Sequence, residues 1–181
     1  MSIRTTLQIA GAMVMLAAPG AARAERITLV ERPDHTTEAT VDVDAPPDEV
    51  YALVTDYASW TRVLSDVSDV SIRSGGRDNA SVHFRSRALA HAVTIVFANE
   101  PGRRISFRGI EGPPGGRASG AYTLTPIDGG RRTHVVATLY LDVVGVASVF
   151  VRDKKLRAMR EAKLTADLDD VVRHFAPRPV R

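Results

Sequence analysis

The chain has 181 residues, with 24 Lys and Arg against 21 Asp and Glu for a formal net charge of +3, 44% hydrophobic residues and no cysteine. So large an apolar share with so small a charge imbalance excludes a disordered chain and suits one ordinary domain. The missing cysteines exclude disulfides, Cys-ligated zinc, thiol catalysis and iron–sulfur clusters.

Residues 1–24 read as an export signal. Arg4 supplies a positive start, and Leu7–Ala18 is a mostly apolar run of 12 residues. Pro19-Gly20 then breaks the run, and Ala22 and Ala24 put small side chains at the third and first positions before a cut after Ala24. A membrane span needs about 20 apolar residues, so this run is too short for an anchor. The expected destination is the periplasm or the outside of the cell. Arg4 and Arg23 leave with the signal, which brings 22 basic residues against 21 acidic ones in the remaining 157. That balance lacks the basic excess of a dedicated nucleic-acid binder, so no nucleic-acid partner is expected.

Residues 25–35 are polar around a short apolar patch and read as a lead-in segment. Thr36–Asp44 alternates polar and apolar side chains, the mark of a strand. Ala45-Pro46-Pro47 ends it and opens a helix, with Asp48 and Glu49 in the first turn complementing the helix dipole. Val50, Leu53, Val54 and Tyr57 form its apolar stripe, and a second short helix is expected around Thr61–Leu64. Strands follow over Val67–Arg73, Ala80–Leu89, Ala92–Ala98 and Arg104–Ile110, separated by turns at Ser74–Asp78 and Glu100–Gly102. Glu111–Gly116 is a loop. Ala118–Pro126 and Arg132–Val144 form a hairpin across Asp128-Gly129-Gly130. From Ser148 to Phe175 the period becomes helical, for a helix about 40 Å long. Leu156, Met159, Leu164, Leu168, Val171, Val172 and Phe175 supply its apolar side. Lys154, Lys155, Arg157, Arg160 and Lys163 are expected mostly outward, with Asp167, Asp169 and Asp170 continuing the polar face.

This order of elements, together with the segment Val41–Ile72, resembles the START-like or SRPBCC superfamily, in particular polyketide cyclase/dehydrase and coenzyme Q-binding START-type proteins. Ala45, Pro46, Val50, Tyr51, Leu53, Val54, Asp56, Tyr57 and Trp60 carry the likeness, and Tyr122 before Gly129-Gly130 adds to it. The resemblance implies an α+β helix-grip fold over residues 36–176, with 177–181 as a tail. A seven-stranded curved antiparallel sheet, two short helices and one long C-terminal helix across the concave face are expected. It also implies an apolar cavity between sheet and helix. Candidate lining residues are Leu53, Trp60, Val82, Phe84, Ile105 and Phe107, with Tyr122, Leu124, Met159 and Leu168 beyond them. Tyr122, Tyr140 and Ser86 are candidates to orient a ligand's polar end. Tyr140 qualifies only if the even face of the last strand points inward; otherwise Leu139 and Leu141 take its place.

The remaining chemistry is sparse. His35, His83, His91, His134 and His174 share no metal-ligand spacing, and no catalytic residue, metal or cofactor is assigned. His83, Arg85 and Arg87 share one strand face, opposite Val82, Phe84, Ser86 and Ala88. Arg104, Ser106 and Arg108 repeat this against Ile105 and Phe107, so a basic stripe is expected on the outer side. No Gly-x-Ser-x-Gly elbow or phosphate-cradling loop is present. The leading expectation is a monomeric, non-enzymatic carrier of one hydrophobic small molecule: a lipid, quinone or polyketide-like compound. Two alternatives stay open. One is a cyclase/dehydratase-type enzyme using Asp142 or His134 as acid or base. The other is a module whose basic stripe and Glu111–Gly116 loop dock a membrane, by transient contact, or a partner protein.

Overall fold

The computed structural model describes residues 26–144 and 152–177; residues 1–24, read above as the export signal, lie outside them. The strands are β1 (Thr28–Glu31), β2 (Thr36–Val43), β3 (Val67–Gly75), β4 (Ala80–Ser86), β5 (His91–Glu100), β6 (Arg104–Glu111), β7 (Gly116–Ile127) and β8 (Arg132–Val143). Helices α1 (Pro47–Val54) and α2 (Trp60–Val63) lie between β2 and β3, and α3 spans Asp153–Phe175. All eight strands belong to one antiparallel sheet in the order β1-β2-β8-β7-β6-β5-β4-β3. From β3 to β8 each strand pairs with the next, as hairpin-length connections favour.

The expected lead-in segment contains a strand, so the sheet has eight strands rather than seven. Its four residues pair with β2 at the sheet edge, where Thr28, Leu29 and Val30 remain exposed. So short and open a strand has no inside and outside to alternate between. Pairing makes it a strand. The turn into β2 takes His35 to a φ of 61°, and the Asp34 carboxylate accepts from the Thr36 N–H at 3.1 Å.

Side-chain parity then sets the inner surface. On β8, Thr133, Val135, Ala137, Leu139 and Leu141 are buried, which leaves His134 and Tyr140 on the other side. On β4, Val82, Phe84 and Ser86 point in while Arg85 is exposed, as is Arg87 just beyond the strand. On β6, Ile105 and Phe107 point in while Arg104 and Arg108 are exposed. Phe107 pairs in register with Gly120. A Cβ at Gly120 would lie 2.0 Å from the Thr138 carbonyl oxygen and 2.5 Å from the Phe107 ring, so this approach of strand and ring requires glycine.

Helix α3 packs on β2 and β8 and also touches α1 and α2. Leu164, Leu168 and Val171 are buried at i, i+4 and i+7, each contributing about 2 kcal/mol by leaving water. The surrounding elements cover more of the helix than its apolar stripe. Arg160, Lys163, Asp167 and Asp170, expected outward, are all buried. Each reaches a polar partner, without which its burial would be strongly unfavourable. Asp170 accepts from the N–H and hydroxyl of Ser65 at 2.6 and 2.8 Å and pairs with Arg173.

Candidate functional site

Sheet and α3 enclose a cavity of about 520 Å³, within the size range of small-ligand sites. Phe84, Phe97 and Leu139 from the sheet, Met159 and Leu164 from α3, and Trp60 from α2 form much of its apolar wall. Its mouth lies where exposed residues border it: His91, Glu111, Arg117 and the loop Gly112–Gly116.

The five aromatic residues of the cavity wall form one continuous chain. Trp60 meets Phe84 edge-on at 5.3 Å between centroids and Phe97 at 5.7 Å. Phe97 is followed by Phe107 at 6.1 Å, and Phe107 by Tyr122 at 6.1 Å. Such edge and tilted contacts are favourable beyond the area they bury. The Trp60 indole N–H donates to the Val54 carbonyl at 2.9 Å, which fixes the ring and satisfies its one donor.

The chain of rings ends at a polar cluster. The Tyr122 hydroxyl donates to Asp167 Oδ2 at 2.9 Å, and Lys163 Nζ donates to both Asp167 oxygens at 2.5 and 2.7 Å. Behind the ammonium stands Asp66 Oδ2 at 3.3 Å. Asp66 also accepts from the Ser86 hydroxyl at 2.6 Å and the Ala88 N–H at 2.7 Å. Burial pushes the Asp167 carboxyl above the usual range, with Lys163 opposing it. Burial also works against charge on Lys163, but Asp167 and Asp66 outweigh it and hold the ammonium's pKa above its ordinary value. For Asp66, burial is outweighed by Lys163, Ser86 and Ala88, so its carboxyl titrates low. Tyr122 is raised well above a free phenol by burial and by the Asp167 charge, so it keeps its proton.

Of the twelve candidate ligand residues, Trp60, Phe84, Phe107, Tyr122 and Met159 line the cavity. Val82, Ile105, Leu124 and Leu168 are fully buried and fill the core instead, and Leu53 packs against that core without reaching the cavity. Ser86 points inward but spends its hydroxyl on Asp66. Tyr140 faces outward, where its hydroxyl donates to Asp142 at 3.0 Å, and Leu139 and Leu141 line the cavity in its place. His134 is also on the outer side, with Nδ1 2.6 Å from Asp42. Asp142 borders the cavity near its mouth, held by Tyr140 and by the Val143 N–H at 2.7 Å. Lys163 and Asp167 escaped the sequence reading because a Lys and an Asp four apart on a helix ordinarily mark a solvated face. A usable signal was their position beside the apolar i, i+4, i+7 stripe, Lys163 directly before Leu164 and Asp167 directly before Leu168.

Residues 34–176 match the family described as polyketide cyclase / dehydrase and lipid transport. The chain belongs to this family. Among solved structures, the Zhui aromatase/cyclase from Streptomyces sp. R1128 is 24% identical with a TM-score of 0.65, covering 77% of this chain and 92% of that one. A START superfamily protein from Mycobacterium smegmatis is 14% identical with a TM-score of 0.65, covering 77% of this chain and 96% of that one. The di-domain ARO/CYC StfQ from the steffimycin pathway is 17% identical with a TM-score of 0.66, over 78% of this chain and 50% of that one. These likenesses establish the fold. No curated protein sequence matches the chain. With its cavity, this member of the polyketide cyclase / dehydrase and lipid transport family has a hydrophobic-ligand-binding fold.

Proposed function

We propose that the protein carries a hydrophobic small molecule in the cavity between sheet and α3 without transforming it, and that it does so after export and removal of residues 1–24. One observation carries this reading: away from its mouth the cavity wall is apolar except for Tyr122, Lys163 and Asp167, and these are joined through Asp167. General acid–base catalysis needs a group within reach of the substrate and free to exchange a proton. Inside the cavity the phenol is held protonated, the ammonium is held charged and the carboxylate is engaged by both. The remaining ionisable residues that border it, His91, Glu111, Arg117 and Asp142, are at the more exposed mouth.

Trp60 is the chain's single tryptophan and lines the cavity, so its emission reports occupancy. The test is to purify the protein without denaturation, identify its organic extract by mass spectrometry, and return the extracted compound while following Trp60. A reproducible apolar compound that shifts the emission supports carriage. An empty extract, with emission unmoved by a panel of apolar compounds, overturns it. Intact mass of the isolated protein tests export, with loss of residues 1–24 as the expected result.

A second reading, an enzyme of cyclase or dehydratase type, draws on the family description, on the aromatase/cyclase relatives and on the raised carboxyl of Asp167. The returned compound separates the two. An unchanged mass after incubation supports carriage, and a product mass that depends on Asp167 supports the enzyme.

A further inference from the structure

Resting on the ligand-binding reading, the geometry points to a cavity that selects apolar molecules with an O–H or N–H donor at their polar end, such as an alkylphenol or a long-chain alcohol. The matching carboxylates, ethers and quinones are disfavoured.

An ammonium has three donors and no acceptor, and a phenol has one donor and two lone pairs. Lys163 directs its protons to the two oxygens of Asp167 and to Asp66. Tyr122 gives its only proton to Asp167. The Trp60 N–H, the other side-chain donor deep in the wall, is given to the Val54 carbonyl. No side-chain donor among these is left over. What remains open toward the cavity is accepting capacity: the Tyr122 lone pairs and the unused lone pairs of Asp167.

Charge points the same way. Asp66, Asp167 and Lys163 together carry a formal charge of −1, so a ligand carboxylate seated at this cluster would meet like charge and no spare side-chain donor. A carbonyl or ether oxygen would be buried against acceptors and left unpaired. A hydroxyl placed there is paired at once. Discrimination against a ligand that leaves buried polar groups unmatched is large compared with that from a missing methylene.

The experiment is calorimetric titration of the full protein, freed of bound compounds, with six probes. Dodecanol is compared with dodecanoate and dodecyl methyl ether, and 4-nonylphenol with its methyl ether and with nonylbenzoquinone. The donor-ended member of each set is expected to bind about 10-fold more tightly than its partners.

Asp167→Asn sharpens the test. The amide oxygen faces Lys163 and its N–H₂ faces Tyr122, which turns the phenol proton toward the cavity. The variant is expected to prefer the quinone and the ethers, with thermal melting used to confirm that it is folded. If the ethers, the quinone or dodecanoate bind wild type as tightly as the donors or more so, the inference falls while the ligand-binding reading stands. If none of the six binds and the extract is empty, that reading falls and takes the inference with it.

Discussion

Arg160 and Lys163 are buried cations three residues apart on α3, and the difference between them shows what a buried charge can and cannot indicate. Arg160 reaches across the sheet edge to Glu31 at 2.5 Å, the Thr37 hydroxyl at 3.0 Å and the Leu141 carbonyl at 3.2 Å. It ties β1, β2 and β8 to the helix and does not line the cavity. Lys163 makes an equally complete set of contacts, but its carboxylate partner and the phenol beyond form part of the cavity wall. Burial and pairing alone therefore do not separate a fastening from a site. The direction in which unused bonding capacity points does.

Removing each cation should break the comparison open. Lys163→Met leaves Asp66 and Asp167 buried without a counterion and should lower unfolding free energy by about 3–5 kcal/mol in urea at pH 7. Carboxyls so crowded take up protons on folding, so the variant should regain stability as pH falls from 7 toward 5. In wild type the sign is opposite for Asp66. Its lowered pKa contributes stability above the unfolded value near 3.8, and that contribution is lost as pH falls below it. A Lys163→Met variant as stable as wild type at pH 7 would show that the cluster is not a dry ion network.

Arg160→Met should cost less, about 2 kcal/mol, because the Glu31 side chain keeps 18% of its surface exposed and can rehydrate. It should leave probe binding at Trp60 within twofold, since Arg160 is outside the cavity. Affinity lost in proportion to stability would erase the distinction between the two cations. Ser86→Ala removes one of the donors to Asp66 and should cost about 1 kcal/mol by chemical denaturation.

The smallest effect is spectroscopic. All four tyrosines are shifted upward: Tyr51 to about 12 by burial and Asp78, Tyr57 by burial, Tyr122 by burial and Asp167, and Tyr140 by its bond to Asp142. A phenol that ionises later in the folded state favours folding less as pH rises above about 10, the unfolded value. Phenolate absorbance near 295 nm should therefore lag behind that of the unfolded chain. A folded-state tyrosine titrating near 10 would contradict this.

The alternation of β4 and β6 was legible because strand parity depends on the spacing of residues, and Phe84 and Phe107 follow from it; Tyr122 on β7 came with the resemblance, and β8, apolar on both parities, left its inward face open. Trp60 and Met159 followed from the resemblance and the helical period. The cluster was not legible, because Asp66 follows a short helix and Asp167 lies about a hundred residues further on, with nothing local to link them. Nor was β1, whose four residues take their structure from a partner strand and from an arginine 129 residues away. Whether Val82 or Phe84 meets the cavity depends on sheet shape, which parity does not encode.

The pairing of β2 with β8 bears on how the protein folds. Thr36 lies opposite Tyr140 and Val43 opposite Thr133, so the second strand acquires its second neighbour from the end of the sheet meander. The hairpins from β3 onward close short loops and can form locally, while closing a loop of about a hundred residues is entropically costly and slow. A chain growing from its N-terminus holds β1 and β2 without the rest of their sheet until β8 exists, and without their clamp until Arg160 follows. Completion of the fold is thus a late, cooperative event, and the hairpin presents an open edge for as long as synthesis takes to reach it.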